Sequence, residues 1–237
     1  MTEVVDSIGR VTVSTERLLT RAAAIEPAAL AGPSLLPGWT RAHVLAHLAG
    51  NARSHVRMLD GAAAGELRPQ YASTEARAAE IEDGAHRPAP QILADLRTSC
   101  AALAERWTRL PSTAWENPVA PLNRTPRSAY RLLWQRLREL EVHHVDLAAG
   151  YRPADWPDGL ADGVLDEVAA AFVARAETPV FRLVATDLGR CWDTGEEPEM
   201  AVAGPSRDLC AWVTGRDAGA DLSTDPEDTL PTPPRWS

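Results

Sequence analysis

The sequence predicts an α+β protein, with a four-helix bundle over residues 1–151 and a small α+β domain over residues 152–237. Three observations predict it. Apolar residues recur at helical spacing in long segments as far as Gly150. A linker with two prolines, "YRPADWPDG", follows. Runs with strand character begin only beyond it, at "TPVFRLVATDLGRCWDTG".

The elements follow in order. From Thr2 to about Ile25, Val4, Val5, Ile8, Val11, Leu18 and Leu19 fall loosely on one helical face. After the breaker "GPSLLPGW", Thr40 is placed to cap a second helix, whose Leu45, Leu48, Ala52, Val56 and Leu59 form a stripe. "STEARAAEIEDGA" reads as a short polar helix. "PQILADLRTSCAALAERWTRL" reads as a long one, with Leu93, Leu96, Cys100, Leu103 and Trp107 aligned and Pro111 as its stop. Turn chemistry in "PLNRTPRSAY" leads into a helix that ends at Gly150, a natural glycine stop. Past the linker, a helix is expected near Leu160 to Ala176, then a strand from Val180 to Thr186. A turn at "DLG" and a second strand around Cys191 come next, and a third strand in "EMAVAG". "PSRDLCAWVTGR" reads as a short helix capped by Ser206 and ended by Gly215, and the proline-rich tail from Asp225 as irregular.

Composition narrows the function. A net charge of -9 argues against a nucleic-acid or anionic-membrane surface, both of which need clustered cations. All 24 basic residues are arginine, the better bidentate clamp for carboxylates. Three cysteines without paired spacing suit a reducing compartment. The acidic start "MTEVVDSIGRVTV" lacks an apolar run, and no window is long enough for a membrane span, so a cytoplasmic location is expected. Small-molecule chemistry is the class that remains.

The chemistry concentrates in two segments. In "LRELEVHHVDL", Glu139 and His143 stand four apart with Asp146 a turn further, while Glu141 and His144 stand three apart. In "RAHVLAH", His43 and His47 are four apart, with His55 two turns beyond. An open metal site takes about three protein ligands, and imidazole and carboxylate suit zinc. Periodicity alone does not choose among them. His144 points nearer the stripe of Leu133, Leu137, Leu140 and Leu147, which favours a core role. His43 and His47 lie off the Leu45/Leu48/Val56 stripe, which favours exposure.

Four motifs taken together, "LLPGWTRAHVLAHLAGNA", "STEARAAEIEDGA", "LRELEVHHVDLAAGY" and "PSRDLCAWVTGR", resemble the mycothiol-dependent maleylpyruvate isomerase family and span nearly the whole chain. The resemblance implies a metal-binding bundle of the DinB type followed by a sterol-carrier-like domain. It implies the ligand set His47, Glu139 and His143, with zinc as the metal and mycothiol as the thiol cofactor. It also implies two arginines acting on the substrate, which map to Arg77 in "EARAAEIE" and Arg216 in "VTGR".

The implied reaction is addition of the thiolate to the cis double bond of maleylpyruvate, rotation about the resulting single bond, and elimination to fumarylpyruvate. Arginines would hold the dianion and the developing enolate charge. None of Cys100, Cys191 and Cys210 has a histidine nearby in sequence, which favours an external thiol. Two alternatives remain at this level: a mycothiol S-transferase, and a non-catalytic metal-binding ligand module.

Overall fold

The computed structural model describes residues 2–122, 124–227 and 229–236. The chain divides into two compact units, Met1–Gly150 and Tyr151–Ser237. Its mixed architecture is the α+β class implied by the sequence, helical in the first unit and sheet-bearing in the second. Among the described residues, no helix is long and apolar enough to cross a membrane.

The first unit contains α1 (Thr2–Ala23), α2 (Arg41–Ala64), α3 (Thr74–Ala85) and α4 (Ala89–Arg109). A hairpin of two two-residue strands, β1 (Pro118–Val119) and β2 (Arg127–Ser128), precedes α5 (Arg131–Asp146). This hairpin lies where the sequence suggested only a turn. Helix α2 begins at Thr40, whose side chain accepts from the His43 backbone N–H while the Thr40 N–H donates to His43 Nδ1. This reciprocal cap satisfies two backbone donors that a helix start otherwise leaves orphaned. At its other end the helix stops at Gly65, in the left-handed region with φ 70°.

α2 is the central helix, packed against α3, α4 and α5. It therefore buries more than a stripe: Leu45, Leu48, Ala52 and Leu59 are in the core as expected. His47, His55 and Met58 are buried too, whereas Val56 is only half-buried. In α4, Ile92 is the buried residue of the first turn and Leu93 is only half-buried.

A close helix approach and several side-chain and backbone ties hold α3, α4 and α5 in place around α2. A Cβ on Gly84 would stand 2.8 Å from Ala46 Cβ, so glycine here lets α3 lie close against α2. Arg53 then ties three helices, donating to Glu80 of α3 at 2.7 Å and to Asp95 of α4 at 2.6 Å. At the end of α5, Arg41 Nε donates to Leu147 O at 2.7 Å and the Leu35 N–H donates to Asp146 O at 2.9 Å. The start of α2 and the loop before it are thus fixed to the last turn of α5.

In the second unit, α6 (Leu160–Arg175) and α7 (Ser206–Val213) accompany a four-stranded sheet in the order β4-β3-β5-β6. Its strands are β3 (Arg182–Ala185), β4 (Arg190–Asp193), β5 (Ala201–Gly204) and β6 (Ser223–Asp225). β3 and β4 form an antiparallel hairpin through the "DLG" turn, and β3 pairs parallel with β5, Leu183 opposite Val202. Leu183, Ala185, Trp192 and Val202 are buried, and the Phe181 ring meets Trp212 of α7 at 5.3 Å. Two details differ from expectation. Ser206 is the first residue of α7 rather than its cap and donates its hydroxyl to Asp187 at 2.8 Å, while β6 takes in Asp225, the residue at which the irregular tail was expected to begin.

Candidate metal centre

Glu139 and His143 lie one turn apart on α5, and His47 faces them from α2. The His47 Nε2 to Glu139 Oε2 distance is 2.9 Å, and His143 Nε2 is 3.5 Å from the same oxygen. The two imidazole rings meet edge to face at 4.7 Å between centroids. One ligand-capable atom from each of His47, Glu139 and His143 lies within 4.8 Å of the others. Among the described residues these three form the cluster able to hold a metal ion. A tetrahedral ion with bonds of about 2.0–2.1 Å needs ligand atoms about 3.3 Å apart, so small side-chain adjustments suffice.

The surroundings tune each member. Burial pushes the Glu139 carboxyl upward, but bonds to His143 and His47 and the charge of Arg138 outweigh it and hold Glu139 well below the usual range. Arg138 NH2 donates to the other carboxylate oxygen at 3.0 Å. Burial dominates at His47 and takes it down to about 4 despite its bond to Glu139. At His143, burial acts downward, yet the bonds to Asp146 and Glu139 raise it above the ordinary histidine value. Asp146 is fully buried, with Oδ2 2.8 Å from His143 Nδ1. It thereby fixes the ring so that Nε2 faces the cluster.

The neighbouring candidates are employed elsewhere. His43 is committed to the Thr40 cap through Nδ1, and its Nε2 lies 3.2 Å from Glu82. Glu141 accepts from Ser14 of α1, and His144 is a buried residue on the core side of α5. His47, expected from its helical position to be exposed, is buried because α3 and α5 both cover its face of α2.

Arg77 of α3 reaches the cluster, donating from NH2 to His47 Nδ1 at 3.2 Å. Arg77, His47 and Glu139 also line a cavity of about 270 Å³ within the bundle unit, together with His55, Arg124 and Arg138. Sequence reasoning did not single out Arg138 or Arg124. The only local signal was the adjacency of Arg138 to Glu139. Arg216 belongs to the second unit, just past α7, where its backbone N–H donates to Ala211 O at 2.7 Å. It is not one of the residues gathered within the bundle.

The sequence model of the mycothiol maleylpyruvate isomerase N-terminal domain family matches residues 11–148, more than half of the chain. Two solved structures match with a TM-score of 0.94 at 25% identity, covering 98% of this chain and 97% of theirs. One is the crystal structure of the mycothiol-dependent maleylpyruvate isomerase; the other is a histidine-to-alanine mutant. No curated protein matches the sequence. The three ligand-capable residues all fall inside the matched segment, and the chain belongs to the mycothiol maleylpyruvate isomerase N-terminal domain family.

Proposed function

We propose that this protein is a zinc- and mycothiol-dependent maleylpyruvate isomerase, with His47, Glu139 and His143 as the metal ligands. The observation that carries the proposal is the convergence of two imidazoles and one carboxylate at one point, from two helices of a family member. The donor set suits zinc, and three protein ligands leave a position open, as catalytic zinc sites require. Structural zinc sites are closed and mostly cysteine-rich, whereas Cys100, Cys191 and Cys210 are absent from this cluster.

When bound, zinc supplies a cationic centre that favours ionisation of a thiol, and mycothiol supplies the sulfur that adds to the cis double bond and leaves it again. The chain's own residues do the rest. Glu139 and His47 offer a carboxylate and a neutral imidazole near pH 7 without displacing protons. Asp146 orients His143. Were His47 to hold the ion through Nε2, its ring proton would sit on Nδ1, which would no longer accept from Arg77 and would leave that guanidinium's N–H groups to an anionic ligand. Arg77 is accordingly the proposed clamp for a substrate carboxylate. Arg216 is the second proposed arginine and rests on the family resemblance alone.

The test is to mix the metal-loaded protein with maleylpyruvate and mycothiol and follow both product and thiol. Fumarylpyruvate is expected to form with the thiol pool unchanged, and not at all without thiol. Full activity without thiol would exclude addition and elimination; stoichiometric thiol loss would make the protein a transferase.

Asp146→Asn is expected to weaken zinc binding by about 10–100-fold, since the ring it holds loses its anionic acceptor. Competition with a chromophoric chelator measures this. Unchanged affinity would show that the Asp146 carboxylate does not tune His143 as a ligand.

A further inference from the structure

His55 sits two turns from His47 on α2, is 1% exposed, and lines the cavity that also meets His47 and Glu139. Its Nδ1 has no hydrogen-bond partner, although buried ring nitrogens are nearly always satisfied. The cavity wall carries the guanidinium groups of Arg77, Arg124 and Arg138 against the single carboxylate of Glu139. Before any bound ion is counted, that excess of positive charge suits a ligand with two negative charges.

We propose that His55 is a hydrogen-bond donor to a dicarboxylate held in this cavity, and therefore a specificity residue of the site. The inference rests on the isomerase reading for the ligand class, but not for the cavity or for the residue. Burial first, and then the charge of Arg136, push the His55 pKa down to about 3, so the ring is neutral at physiological pH. It offers one N–H and no charge. A neutral donor discriminates by geometry: it pairs with an oxygen at one place in the ligand, where the guanidinium groups attract any anion. An alternative occupant for an unpaired ring nitrogen is an ordered water, which would leave ligand binding indifferent to His55.

The experiment is calorimetric titration of the zinc-loaded full chain with maleate, a stable cis-dicarboxylate, without thiol. Wild type is expected to bind it. His55→Phe should weaken binding about tenfold, the scale of one lost neutral hydrogen bond, with unchanged zinc content. His55→Gln, which keeps an N–H donor, should recover most of the affinity. No binding to wild type, or equal binding by wild type and both variants, would overturn the inference.

The two readings fail separately. His55-dependent maleate binding without isomerisation would remove the isomerase proposal and leave this contact standing. Isomerisation with His55-independent binding would do the reverse. Should His55→Phe not fold, the Arg77→Gln background decides: the inference requires that adding His55→Ala to it weaken binding further, and equal binding with and without His55→Ala would overturn it.

Discussion

The His47→Ala, Glu139→Ala double variant is expected to purify with less than about a tenth of a zinc per chain, against about one for the wild type. The reason is the ligand count. His143 alone remains, and one imidazole does not hold a divalent ion against water and buffer. Isomerase activity should fall at least about a thousandfold, because a Lewis-acid centre contributes several kcal/mol and each 1.4 kcal/mol is about tenfold. The bundle should survive, since neither ligand belongs to its apolar core; circular dichroism checks this.

Protons compete for the same centre. The folded pKa of His143 is raised, so in the metal-free protein its proton contributes stability that is fully present below the unfolded value of about 6.5 and lost as pH rises through the folded value. Zinc binding displaces that proton. Zinc affinity should therefore climb with pH through the raised His143 pKa, while His47, at about 4, contributes no such dependence near neutrality.

The second large effect is structural. Arg136→Ala should destabilise the protein by about 3–5 kcal/mol in urea denaturation of the full chain. Arg136 of α5 is 1% exposed and donates to Leu48 O at 2.9 Å, Asn51 Oδ1 at 2.7 Å and Cys100 Sγ at 3.3 Å. It thus ties α5 to α2 and α4, the helices that carry and back the centre. Alanine takes the donor from Asn51 Oδ1 and Cys100 Sγ, removes the extra bond to the helical Leu48 carbonyl, and leaves a cavity the size of a guanidinium chain. No carboxylate among the described residues forms an ion pair with Arg136, so its charge is buried without direct neutralisation. Arg136→Met, which keeps volume and removes the charge, should accordingly cost less than alanine. Equal losses for both would mean that the hydrogen bonds, and not the packing, carry the effect.

The sequence made the helices legible because their starts and stops are written in local chemistry. Thr40 does cap α2, but α5 stops at Asp146, short of the expected glycine stop at Gly150, and Ala148 with φ 49° takes the left-handed conformation just past its end. Buried faces were less legible where a helix has several neighbours. On α2, contacts with three helices erase the stripe, so His47 and His55 go inside and Val56 does not. The same limit governs the site. Spacing offered His43 and His47 as equivalents, and only the Thr40 cap and Glu82 distinguish them in space. His143 and His144 are neighbours in sequence, yet Asp146 and Glu139 take one and the core takes the other.

Arg77 was placed by family resemblance; what brings it to His47 is the close α2–α3 approach at Gly84, a contact between segments distant in sequence. Arg124, Arg138 and the cavity they line depend on packing between elements and leave no periodic trace.

The central claim concerns three side chains holding one ion that is open to a thiol. Replacing zinc by cobalt and recording the absorption spectrum before and after adding mycothiol tests it most directly. The account predicts a four- or five-coordinate cobalt spectrum, with a new sulfur-to-metal charge-transfer band on adding mycothiol, both lost in the His47→Ala, Glu139→Ala variant. A cobalt spectrum that mycothiol leaves unchanged, or that persists in that variant, would contradict it.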